Sequence, residues 1–187
     1  DNNATLFKQG YASIVGPYLK ATGGTLVDDK SVANWDNTLA GTVFEQQLTK
    51  AGGKLDAVVS ANEGLGLAAV AVLKKNNLNG KTCVSGQDAS AAGLAAILTG
   101  DLSNTVYKPI SQEANAAAAL AISLVKGTAA KTNGTVKDGT RVVKSVLLTP
   151  TTITKKNVEV TVTDKFRTAA EICAIAGAAA CAANGVK

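Results

Sequence analysis

Short apolar runs of strand length alternate with longer segments of helical period along most of the chain, and this alternation restricts the fold more than any other feature. Strand and helix joined by short turns imply a parallel, doubly wound α/β sheet. Asn2 or Asn3 can cap a first helix in which Phe7, Tyr11, Ile14, Val15, Tyr18 and Leu19 recur at helical spacing, ended by Gly23-Gly24. Thr25-Leu26-Val27 reads as a short strand. Asp36 caps a second helix with Leu39, Val43 and Leu48 inward, stopped by Gly52-Gly53. Ala57-Val58-Val59 is apolar throughout, as expected of a strand buried on both faces. A helix over 65–77, the Asn79-Gly80 turn, a strand at Cys83-Val84, a helix over 91–99, a strand at Thr105-Val106-Tyr107 and a long helix over 111–126 follow. Residues 126–139 read as an exposed loop, Arg141–Leu148 as a strand, and 169–183 as a helix broken near Gly177. The expected strand order is 2-1-3-4-5.

Polar and aromatic residues fall where these strands should end: Asn2-Asn3 at the start, then Trp35-Asp36, Asn62-Glu63, Gln87-Asp88 and Tyr107-Lys108-Pro109. Ligands of open parallel sheets bind outside the carboxyl ends of the strands. A Trp face for sugar C–H groups, with amides and carboxylates for vicinal hydroxyls, suits a polyhydroxylated ligand.

Composition narrows the chemistry. Aromatic residues make up only 4% of the 187 residues, so the core must rest on Ala, Val, Leu and Ile. The net charge is +5, but no Lys/Arg run exceeds Lys74-Lys75 or Lys155-Lys156, which argues for a solvated surface and against nucleic acid as a partner. No apolar run reaches the ~18 residues of a membrane span. No Met occurs and no signal peptide is recognisable, as in a mature chain or a fragment. With no His, neither a Ser-His-Asp nor a Cys-His nucleophile can be assembled, and a zinc site lacks its usual ligand. Gly64-Leu65-Gly66 meets Ala69 where a dinucleotide loop has its third glycine, and Gly80-Lys81-Thr82 meets Lys75 where a P-loop has its first. Asp36, Glu63 and Asp88 fit no acid–base motif. The expectation is therefore no enzyme, no cofactor and no metal. Cys83 lies inside a strand and reads as a buried free thiol. In an exported protein Cys173 and Cys181 would close a short loop worth roughly 2–3 kcal/mol; otherwise they are two small thiols in an Ala-rich helix.

Several runs together carry a resemblance: Asp1-Asn2-Asn3-Ala4 opening a helix, Trp35-Asp36, Leu55–Asn62, Val84-Ser85-Gly86-Gln87-Asp88-Ala89, Thr105-Val106-Tyr107-Lys108-Pro109-Ile110 and Leu147-Leu148-Thr149-Pro150. With them the chain resembles the C-terminal part of a bacterial ABC-transporter sugar-binding protein of the D-xylose-binding type. The resemblance implies the periplasmic-binding-protein type I fold, two Rossmann-like parallel-sheet lobes that close on one monosaccharide. It implies that residues 1–108 and 151–187 form the second lobe and 109–150 belong to the first. It also implies that the N-terminal half is absent here, supplied by a companion chain if at all, and that the helix over 111–126 then exposes an apolar face. The family's sugar contacts carry over to Asn3, Trp35, Asn62, Asp88 and Lys108, with Asp1 and Gln87 in support. Its partners are a xylose-like or glucose-like monosaccharide and the membrane subunits of an ABC permease. Its location is extracytoplasmic, periplasmic or anchored through a lipidated N-terminus, a setting in which Cys173 and Cys181 pair. The alternative is a sugar-responsive effector domain of a lactose-repressor-like regulator; a sugar-modifying enzyme is disfavoured for want of a nucleophile.

Overall fold

The structure, a computed structural model, describes Asp1–Lys187. In chain order its elements are α1 (Asn2–Thr22), a 3-10 turn (Ala33–Trp35), α2 (Asn37–Lys50), β1 (Ala57–Val58), α3 (Glu63–Lys75), β2 (Cys83–Gln87), α4 (Ala91–Thr99), β3 (Asn104–Tyr107), α5 (Ile110–Val125), β4 (Gly134–Asp138), β5 (Arg141–Ser145), β6 (Thr151–Ile153), α6 (Glu159–Thr163), α7 (Ala169–Ala176) and α8 (Ala178–Ala183). They fall into two compact units, one of Asp1–Tyr107 with Thr152–Lys187, the other of Lys108–Thr151.

The larger unit is an α/β sheet in the order β1-β2-β3-β6. β1 runs parallel to β2, with Ala57 opposite Cys83 and Val58 opposite Val84. β2 runs parallel to β3, from Ser85 opposite Asn104 to Gln87 opposite Val106. Val84, Thr105 and Ile153 are fully buried. Helix α4 is apolar on every side, as a helix enclosed by its neighbours must be: Leu94, Ala95, Ile97 and Leu98 are at most 2% exposed, and it packs against β3, α7 and α8. Helix α3 packs on β2 and α2, with Leu73 fully buried. Tyr107, at the end of β3, is buried, and its ring centroid lies 4.9 Å from that of Phe166 in the C-terminal segment. Its burial, and next the Asp164 carboxylate, raise the phenol above its ordinary value of 10.0.

The cysteine pair is bonded. Cys173 and Cys181 form a disulfide with their Cα atoms 5.8 Å apart, tying α7 to α8. Helix α7 starts in a capping box, in which the Thr168 hydroxyl accepts the Glu171 N–H at 3.2 Å and the Glu171 carboxylate accepts the Thr168 N–H at 2.8 Å.

Several expectations are corrected. Thr25–Val27 forms no strand, and the order 2-1-3-4-5, which would put it between Ala57 and Cys83, fails because those two pair directly. β-branched residues there have no neighbouring strand to pack on; instead Asp28 and Asp29 pair with Lys50 and Lys8. Cys83 is exposed rather than buried, because alternation along β2 turns Val84 and Gly86 inward and Cys83 to the other face. Asp1, not Asn2 or Asn3, caps α1, accepting the Ala4 N–H at 3.1 Å. The inner face of α2 is Ala40, Phe44 and Leu48, so Leu39 turns outward. In α1, Phe7, Tyr11, Val15 and Leu19 are half-buried, while Ile14 and Tyr18 are exposed.

In the smaller unit the supposed loop over 126–139 contains β4, which pairs antiparallel with β5 from Gly134 opposite Ser145 to Asp138 opposite Arg141. Asn133 extends the pairing by accepting the Leu147 N–H at 2.7 Å and donating to its carbonyl at 2.8 Å. Helix α5 leaves Ile110, Ile122, Leu124 and Val125 exposed.

This packing makes the disulfide and the α7 cap testable. Thiol labelling under denaturing, non-reducing conditions should modify one cysteine, Cys83; labelling of Cys173 or Cys181 by peptide mapping would contradict the bond. The backbone N–H of Thr168, and then its hydroxyl, hold the Glu171 carboxyl below its ordinary 4.5. A depressed value stabilises the fold above the ordinary pKa and loses the contribution as pH falls through the folded value. The melting temperature of Glu171→Gln should therefore trail wild type at neutral pH and meet it once the pH lies below the carboxylate range; a gap that widens in acid would refute the cap's charge dependence.

Candidate functional site

Parallel pairing sends the carboxyl ends of β1, β2 and β3 the same way, and the sequence-chosen residues of the larger unit lie on or near the segments that leave them. Asn62 ends the turn after β1 and caps α3, its Oδ1 accepting the Leu65 N–H at 2.9 Å. Gln87 closes β2 and donates from Nε2 to the Ala61 carbonyl at 3.2 Å, joining the two strand ends. Asp88 follows, exposed, with its N–H donated to the Val106 carbonyl at 2.9 Å. Asp88 is not the cap of α4; Ser90 is, accepting the Gly93 N–H at 3.0 Å.

Trp35 closes the 3-10 turn, half-buried, and its indole N–H donates to Asp1 at 2.8 Å. Asp36 caps α2 through the N–H groups of Thr38 and Leu39, at 2.8 and 2.9 Å. The start of α2 lies against the start of α3: a Cβ on Gly64 would sit 2.5 Å from Asn37 Oδ1. The turn carrying Trp35 and the turn carrying Asn62 are thus neighbours. Asn3 is exposed in the first turn of α1, two residues from Asp1 in sequence. Lys108 directly follows β3 and is half-buried at the start of the smaller unit.

Four of the six non-glycine residues with positive φ lie at these positions, the other two being Asn77 and Lys165. Trp35 has φ of 56° and Asp88 of 110°, with Asn34 at 55° and Ala89 at 51°. Non-glycine residues held there cost about 1–3 kcal/mol each and concentrate at ligand clamps and active sites. The second turn is held by the buried carboxylate of Glu63, a strand-end residue in the sequence with no role assigned there, and by three residues the sequence did not mark: Ser90 and Thr105 through their hydroxyls, and Arg167, whose Nε donates to the Ala89 carbonyl at 3.1 Å. Arg167 also lies 4.6 Å from the centre of the Phe166 ring. Its separation of 78 positions from Ala89 leaves no local signal.

Residues 1–129 match the family model described as periplasmic binding protein domain. The chain is 39% identical over 162 residues to the D-xylose-binding periplasmic protein of Escherichia coli K12, covering 87% of this chain and 49% of that protein. It is 34% identical to the D-xylose-binding periplasmic protein of Haemophilus influenzae, covering 90% of this chain and 51% of that one. The chain therefore spans about half the length of the curated relatives it matches. A Clostridium phytofermentans ABC transporter solute-binding protein, solved with bound β-D-glucose, superimposes with a TM-score of 0.77 at 22% identity, over 92% of this chain and 57% of that one, a likeness of fold.

The Asn62 cap makes a prediction of its own. Asn62→Ala should lower stability by about 1 kcal/mol, whereas Asn62→Asp keeps an acceptor for the Leu65 N–H and should stay within a few tenths of wild type. Equal losses in urea unfolding would show that the cap is not what Asn62 contributes.

Proposed function

Since the chain belongs to the periplasmic binding protein domain family, we propose that it is part of a solute-binding protein that captures a monosaccharide, xylose-like or glucose-like, for delivery to an ABC permease. The observation that carries this reading is the strain at Trp35 and Asp88, an aromatic face and a carboxylate held in costly conformations on turns of one α/β unit. The relatives named as D-xylose-binding periplasmic proteins support the transport role over the regulator alternative. They also support a binding protein over an enzyme and a location outside the cytoplasm, as does the disulfide.

In this reading Trp35 stacks on the sugar ring, and Asn62 both donates to and accepts from adjacent hydroxyls. Asp88 accepts hydroxyl donors in charge-assisted bonds. Asn3 and Lys108 add donors. Residues 1–108 and 151–187 belong to one lobe and 109–150 to the other, and an N-terminal half completes the pocket.

Trp35→Ala should weaken D-xylose or D-glucose binding by the full-length protein by about 1–3 kcal/mol, by analogy with base–aromatic stacking. Asp88→Ala should cost at least as much, because it leaves hydroxyl donors unpaired. Calorimetry over a monosaccharide panel tests both. Wild-type affinity in Asp88→Ala would remove that residue from the site, and absence of heat with every sugar would remove the transport reading.

A further inference from the structure

We propose that Glu63 is a positioning residue for the turn that carries Asp88, acting on the backbone rather than on a ligand. Its functional meaning rests on the sugar-binding reading above. Glu63 is only 2% exposed, and a buried carboxylate is costly unless its oxygens are satisfied. Oε2 accepts the Ser90 N–H at 2.7 Å and also the Ser90 hydroxyl; Oε1 accepts the Thr105 hydroxyl. One side chain at the start of α3 therefore grips the residue before α4 and the middle of β3.

Asp88 and Ala89, the pair with φ of 110° and 51°, are bracketed by those grips. The Thr105 hydroxyl is the link. Its hydrogen is committed to Glu63, which leaves its oxygen to accept the Ala89 N–H at 3.4 Å. The Ala89 carbonyl is held by Arg167 and the Asp88 N–H by Val106. Space around the carboxylate is cut to fit. A Cβ on Gly93 would overlap the carboxyl group, and one on Gly86 would lie 2.8 Å from Glu63 Cγ. Capping of α4 needs only the Ser90 hydroxyl, so the carboxylate has a further task, and holding the strained turn is the one its contacts describe.

The test uses the full-length protein and two readouts. Amide hydrogen exchange at Asp88 and Ala89, measured without sugar, should accelerate at least about tenfold in Glu63→Met, which removes both acceptors. Glu63→Gln should restore it to within about threefold, because the amide oxygen serves Ser90 and the amide N–H can donate to the Thr105 hydroxyl. The Kd for D-xylose should rise about tenfold in Glu63→Met and hardly change when the same substitution is made in Asp88→Ala, since coupled residues are not additive. If Glu63→Met does not fold, Thr105→Val, which breaks the link to Ala89, takes its place with the same expectations. Wild-type exchange at both amides in a folded variant would overturn the proposal, as would equal loss of D-xylose affinity in the two backgrounds. Failure of the wild-type protein to bind any monosaccharide would instead overturn the functional reading, while exchange still decides the role of Glu63.

Discussion

Parallel pairing of β1, β2 and β3 is the constraint on which the rest of the larger unit depends. Each parallel connection must cross back over the sheet, which turns the intervening chain into α3 and α4. It also sends every turn that leaves a strand to the same edge. Asn62 and Asp88 are 26 positions apart in the chain, yet Gln87 bonds to the carbonyl beside Asn62 because their strands end together.

The two units differ in how they are held. The larger has a continuous core from Phe44 and Leu48 through α3, the sheet and α4 to Ile172 and Cys181. The smaller rests on a hairpin and one helix, α5, with no buried residue. An isolated hairpin is marginally stable; this one carries the Asn133 bonds to Leu147 at its open end and an exposed Arg141–Asp138 ion pair at its turn.

Much of this was legible in the chain. The helix expected over 91–99 is the one observed, and the break at Gly177 separates α7 from α8. Candidate positions could be read wherever a polar residue followed a short apolar run, as at Asn62 and Asp88, although the run before Asn62 is not buried on both faces as expected: Ala57 and Val59 are exposed. Other features were not legible because they depend on partners distant in sequence. Thr25–Val27 has strand composition but no strand beside it, and Gly134–Asp138 has loop punctuation but pairs with β5. Ser90 caps α4, but its N–H and hydroxyl are also taken by Glu63, 27 positions earlier, a contact with no local signal.

The exposure of Cys83 has a practical consequence. It opens β2, whereas Gln87 closes it, so at about 3.3 Å per residue the thiol stands roughly 13 Å from the edge where the strand-end residues gather. A dye attached there would share the rigid sheet without crowding those residues. It would form a fixed distance pair with the single tryptophan, Trp35, and give the chain an optical ruler of its own.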